Sequence, residues 1–259
     1  TFKDSFCVEI TFYEWPVAKP RAVVQIAHGL GEHARRWDDV AIALNRAGYH
    51  VYADDHRGHG LTGKAQVESG ATKQMGNLGV GGLSAAYEQV HDFTNLIKAE
   101  HPELPLVLLG HSYGSFISQK LIKTYSNDYA AVVLSGSSLL SPLYLNMGQL
   151  NAKYKKPGGS GFEWLSSIES VGREFEADPL TFYADAMKLF GIPDALKLLH
   201  TPKPTIRKDL PLLIMVGSDD AVGGIRSNEA LTKAYIRSGL TNVTMISYDN
   251  ARHEIFKEH

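Results

Sequence analysis

A single cysteine among 259 residues, Cys7, leaves no partner for an internal disulfide, which suits a reducing compartment. Charge of neither sign dominates. Lys and Arg number 26 against 28 Asp and Glu, a net of −2, so there is no electrostatic footprint for nucleic acid. No apolar run approaches the ~20 residues that cross a bilayer. The opening TFKDSFCVEITFYEW alternates like a strand and lacks the continuous apolar stretch of a signal peptide. No internal repeat or low-complexity block is present. These absences predict a soluble, cytoplasmic protein without a nucleic-acid partner, able to bury roughly three quarters of its unfolded surface if it folds as one domain.

What is present is a rhythm. Short apolar strands are expected at Ala22–Ala27, Tyr49–Ala53, Leu106–Leu109, Ala131–Leu134, Leu212–Val216 and Val243–Tyr248. Helical periodicity fills the gaps at Trp37–Ala47, Gly82–Glu100, Ser115–Tyr125 and Gly224–Arg237. Near-continuous Val, Ile and Leu strands separated by amphipathic helices indicate a mostly parallel sheet with helices on both faces. Val8, Ile10 and Phe12 alternate against polar residues, as an antiparallel edge strand or hairpin would. The alternation breaks over 140–208, a segment rich in Pro, Met and aromatic residues. We read it as a helical lid inserted into one domain whose core is 1–139 and 209–259.

The apolar run Leu106–Leu109 leads directly into Gly110-His111-Ser112-Tyr113-Gly114. A serine at the tip of a tight strand-to-helix turn needs glycine two residues to either side, where side chains would collide. A serine hydroxyl is a weak nucleophile until a base takes its proton and an acid orients that base. Both should follow later strands, and they do. Gly217-Ser218-Asp219-Asp220 follows one strand and Asp249-Asn250-Ala251-Arg252-His253-Glu254 follows the last. His253 is the expected base, and spacing alone does not separate Asp219 from Asp220, the other of which is expected to cap the next helix. The two amides of an oxyanion hole are expected at Tyr113, after the nucleophile, and Leu30, in the turn His28-Gly29-Leu30-Gly31.

Taken together, His28-Gly29-Leu30-Gly31-Glu32-His33, Asp55-His56-Arg57-Gly58-His59-Gly60, the Ser112 turn and Ala251-Arg252-His253-Glu254 resemble the monoacylglycerol lipase and lysophospholipase branch of the α/β-hydrolase fold. The likeness runs over nearly the whole chain. It implies a serine hydrolase acting on carboxylic esters, often with one long acyl chain that enters under a cap. It also selects Asp220 as the acid through a G-x-x-D pattern from Gly217, and requires no metal or organic cofactor. The family's pattern continues into a C-terminal helix that has no counterpart up to His259, which leaves the anchoring of His253 open. The wall of the binding site is expected to include His28, Gly29 and His111 from the core. The insertion is expected to add Leu140, Tyr144, Met147, Phe182 and Met187. The partner implied is a lipid or ester small molecule, with transient membrane-surface contact through the lid. Short-chain ester hydrolysis, amide or peptide hydrolysis and cofactor-free peroxidation remain open, because one fold hosts many reactions.

Rival motifs carry less. Gly58-His59-Gly60-Leu61-Thr62-Gly63 spells G-x-G-x-x-G, but residues 64–70 lack a sustained amphipathic period, so a structural loop is expected rather than a dinucleotide site. Asp55, His56 and His59 are read as loop groups satisfying nearby backbone, and His33 as a supporting or surface residue.

Overall fold

The computed structural model describes residues 1–146 and 148–258. A small hairpin of β1 (Phe2–Lys3) and β2 (Glu9–Ile10) leads into β3 (Phe12–Trp15), β4 (Ala22–Ala27), α1 (Asp38–Arg46) and β5 (Tyr49–Asp54). Then come α2 (Gly60–Glu68), α3 (Gly82–Glu100), β6 (Leu106–His111), α4 (Tyr113–Tyr125) and β7 (Ala131–Ser135). After α5 (Glu169–Ala177), α6 (Ala186–Phe190) and α7 (Ile192–Leu196), the chain returns through β8 (Leu212–Gly217), α8 (Gly224–Arg237) and β9 (Val243–Tyr248). The strands form a seven-stranded sheet in the order β3-β5-β4-β6-β7-β8-β9. Only β3 runs antiparallel, on β5.

Strand periodicity divides the core. Val23, Tyr52 and Leu108 point into a large cluster with α3, α4 and α8. Their neighbours Val24, Val51, Ala53 and Leu109 point to the other face, against Ala41 of α1 and Trp37. Strands buried on both faces explain the unbroken apolar runs. β9 is the open edge, with four of its six residues exposed.

The segment over 60–68 corrects an expectation. It is α2, a full helix with buried Gly60, Thr62, Gly63 and Gln66, although its apolar residues favour no face. Periodicity fails there because small and polar residues, not an apolar stripe, pack inward. The absence of a dinucleotide site rests on different grounds. The helix start is taken by Asp55, whose carboxylate accepts the Leu61 N–H at 2.8 Å. A Cβ at Gly60 would lie 2.2 Å from that carboxyl group. An internal anion already occupies the place a pyrophosphate would take.

Between β7 and β8 the insertion leaves the sheet. Leu140 and His200 pair as an antiparallel bridge that closes its stem. Among the described residues of the loop only α5, nine residues, and the five-residue α6 and α7 are helical. The insertion is thus less helical than the sequence suggested. Pro142, Pro157, Pro179 and Pro202 interrupt it at short intervals.

Candidate active site

Parallel register brings the first two loops together. Ala27 of β4 pairs with Gly110 of β6, so the turn after β4 lies beside the turn after β6. Ser112 sits at the second turn with φ +51° and ψ −119°, strained backbone for a residue with a side chain. Its glycine neighbours are dictated by contact. A Cβ on Gly114 would lie 2.0 Å from the Ala27 carbonyl oxygen, and one on Gly110 2.3 Å from Ser118 Oγ. Ser112 then caps α4, so that helix begins at Tyr113, two residues earlier than periodicity indicated.

Asp220 follows β8 and His253 follows β9, and the two meet. His253 Nδ1 lies 3.0 Å from Asp220 Oδ1, which also accepts the Val222 N–H at 2.8 Å. Both side chains are buried. Asp219 instead turns outward to Lys153, and α8 begins without a side-chain cap, so Asp219 is not the helix cap expected from sequence. Burial disfavours a charge on His253, but the Asp220 carboxylate outweighs it and holds the imidazole above its ordinary value of 6.5. His253 Nε2 is buried and has no partner among the described residues.

A second imidazole lies close by. His111, its ring centroid 4.8 Å from that of His253, is pushed down to about 3 by burial and by His253 itself. It stays neutral, with Nδ1 3.2 Å from Ser135 Oγ. Of the two rings, His253 alone has a carboxylate partner that stabilises an imidazolium.

The turn after β4 is organised by His28. Its Nε2 accepts the His56 N–H at 3.1 Å, so Nδ1 carries the proton and donates to the Gly29 carbonyl at 2.8 Å. In a trans peptide the N–H points opposite to the C=O. The Leu30 N–H is therefore turned away from His28. Neither it nor the Tyr113 N–H meets an acceptor among the described residues. Both residues line a cleft enclosing about 1150 Å³, mouth included, together with Ser112 and His253.

Gly29, His111, Phe182 and Met187 line this cleft as expected from sequence. His28, Leu140 and Tyr144 do not. The His28 ring stacks on His56 at 3.9 Å beneath the turn, Leu140 closes a small core with Phe116 and Val222, and Tyr144 packs on the main core beside Arg226. Met147 lies outside the described residues. Trp164 and Phe175, aromatics of the insertion, stand in the wall together with Phe116, Leu145, Phe162 and Val222, which sequence reasoning left out. Their sole signal was aromatic and aliphatic enrichment, which a buried core produces equally.

The anchoring of the His253 loop is also visible. Glu254 N–H donates to the Leu165 carbonyl at 2.7 Å, and Arg252 Nη1 donates to the carbonyls of Glu163 and Ser166 at 2.6 and 2.9 Å. The Trp164 ring lies 4.9 Å from the His253 ring. On the other side Asp178 meets His33 Nε2 at 2.8 Å and Phe182 N–H donates to Gly31 O at 3.0 Å. The insertion thus grips both the His253 loop and the turn after β4.

Known proteins agree with this architecture. The serine aminopeptidase S33 family pattern matches residues 18–259. A monoacylglycerol lipase of Mycolicibacterium smegmatis is 30% identical over 97% of this chain and 88% of its own. The solved monoacylglycerol lipase of Paleococcus ferrophilus superposes with a TM-score of 0.70 at 25% identity, covering 96% of this chain and 92% of its own. A thermostable carboxyl esterase from Bacillus coagulans shares the fold with a TM-score of 0.85 at 24% identity, over 99% and 91%. The chain therefore belongs to the S33 serine aminopeptidase family of α/β-hydrolases, among its monoacylglycerol-lipase-like serine hydrolases.

Proposed function

We propose that this enzyme hydrolyses carboxylic esters bearing one long acyl chain, monoacylglycerols or lysophospholipids, through Ser112, His253 and Asp220. The observation that carries the reading is the meeting, on one largely apolar cleft, of a strained serine, a carboxylate-paired histidine and two free amides. Ser112 Oγ attacks the ester carbonyl while His253 Nε2 takes its proton. The Leu30 and Tyr113 amides receive the tetrahedral oxyanion, where each such donor is worth roughly a hundred- to a thousand-fold in rate. His253 then protonates the departing alcohol, and a water activated by the same ring releases the acid. Asp220 holds the imidazole in the tautomer with its proton on Nδ1.

An aminopeptidase would need a free carboxylate to hold the substrate's ammonium group. The cleft's acids are committed elsewhere. Glu32 and Glu254 are paired with Arg36, and Asp185 accepts the Lys188 N–H that begins α6. This favours esters. We read residues 1–259 as one domain and 140–208 as its lid. No described helix is long and apolar enough to cross a membrane. The lid nonetheless exposes Leu143 at 87%, Tyr183 at 63% and Ile192 at 62%, a surface suited to brief contact with a lipid bilayer in a cytoplasmic setting.

A fluorophosphonate probe tests the assignment. Intact and peptide mass spectrometry should place a single adduct on Ser112, absent from Ser112→Ala and strongly slowed in His253→Ala. Undiminished labelling of Ser112→Ala would remove Ser112 as nucleophile.

A further inference from the structure

Glu32 has no part in the proton relay, yet its carboxylate is buried, with 3% of the residue exposed. A buried charge needs partners, and its partners here define a role. Oε1 accepts the Gly29 N–H at 2.6 Å, and Oε2 meets Arg36 Nη1 at 2.8 Å. Arg36 in turn grips Glu254 with two parallel hydrogen bonds of 2.7 and 2.9 Å. Its guanidinium also lies 4.6 Å over the Phe175 ring of the insertion. Ligand atoms of Glu32, His111 and Glu254 come within 4.8 Å of one another, spacing that would suit a metal ion. The chain's own cation is already bound to both carboxylates.

Gly29 is the soft point of the oxyanion turn. It has no side chain, because a Cβ there would lie 2.8 Å from Glu32 Oε1 and 3.2 Å from Ser112 Cβ. Its torsions are therefore set by whatever holds the peptide planes on either side. His28 Nδ1 fixes the following plane through the Gly29 carbonyl, and Glu32 Oε1 fixes the preceding plane through the Gly29 N–H. Only with both planes held does the Leu30 N–H keep one direction. We propose, building on the serine-hydrolase reading above, that Glu32 is a positioning residue of the oxyanion hole. Through Arg36 it also ties that turn to Glu254, the residue after His253. Neither carboxylate touches the reacting atoms. They set where the Leu30 amide stands relative to the histidine loop.

Two substitutions separate this role from simple charge. Glu32→Met and Glu32→Gln both remove the charge and leave Arg36 and Glu254 as a neutral, satisfied pair. Only Gln keeps an acceptor for the Gly29 N–H. On a p-nitrophenyl octanoate substrate, Glu32→Met should lower kcat by about 10- to 100-fold with KM little changed, as a misplaced donor does. Glu32→Gln should stay within about fivefold of wild type. Affinity for a long-chain alkyl trifluoromethyl ketone, which forms a tetrahedral adduct on serine, should fall in step with kcat/KM. Circular dichroism and thermal melts confirm folding, and Glu32→Ala replaces Met if that side chain does not pack. Equal losses in the two variants, a loss confined to KM, or a folded Glu32→Met at wild-type rate would each overturn the proposal. Ser112→Ala in the same assay keeps the two claims apart. If it is inactive while Glu32→Met is unimpaired, only the Glu32 role fails, whereas full activity in Ser112→Ala removes the serine mechanism itself.

Discussion

Two imidazoles with ring centroids 4.8 Å apart are driven in opposite directions at this site. His111 is buried beside another imidazole and is held near 3, while His253 is buried against Asp220 and is held above 6.5. In the proposed mechanism the neutral form of His253 is the one that accepts the serine proton. It is lost as pH falls through the folded value, so kcat/KM should rise with pH through a midpoint above 6.5. Asp220→Asn removes the group that raises it and leaves the burial, so the midpoint should move downward while kcat drops by about 10⁴-fold. Initial rates from pH 5 to 9 check both, and a wild-type midpoint well under 6.5 would contradict the Asp220 pairing. Ser112, His253 and the Leu30 turn were legible in the sequence because the chemistry demands those residue types after particular strands. Glu32, Arg36 and Glu254 were not singled out. Glu32 and Arg36 stand at helical spacing, but Arg36 reaches Glu254 across 218 residues, and nothing local marks that pair.

At the scale of elements, the parallel strands and the longer amphipathic helices were readable. Gly82–Glu100 and Gly224–Arg237 match their periodic patterns to the residue. α2 was not, since it packs glycine, threonine and glutamine inward and has no apolar stripe. What holds α2 in place is Asp55, which accepts the Leu61 N–H at 2.8 Å, the Ala34 N–H at 2.9 Å and the Tyr13 hydroxyl at 3.2 Å. One carboxylate thus joins the helix start, the turn before α1 and the antiparallel edge strand. Asp55→Ala should destabilise the fold by about 3 kcal/mol, because it strips a charged acceptor from several donors at once. Urea unfolding measures this, and a loss below about 1 kcal/mol would mean solvent replaces the carboxylate.

Over the whole molecule the insertion does more than cover the cleft. Residues 163–182 hold the His253 loop through Arg252 and the Glu254 amide, and the turn after β4 through Asp178 and Phe182. Residues 183–196 carry the exposed apolar side chains Tyr183, Met187, Ile192 and Leu196. On the proposed function, the braced part would keep Ser112 and His253 in register and the open part would face the source of the substrate. The sequence showed the interruption through its prolines and aromatics. It could not show which aromatics face the cleft, because Phe162, Trp164 and Phe175 serve in the cleft wall and in a packed cluster at once.

The measurement that bears most directly on this reading is hydrolysis of p-nitrophenyl esters from two to sixteen acyl carbons, with a monoacylglycerol alongside, by wild type and Ser112→Ala. The largely apolar cleft around Ser112 predicts kcat/KM rising with chain length toward the medium and long esters, turnover of the monoacylglycerol, and loss of all activity in the variant. Activity confined to the shortest esters, or hydrolysis that survives Ser112→Ala, would contradict it.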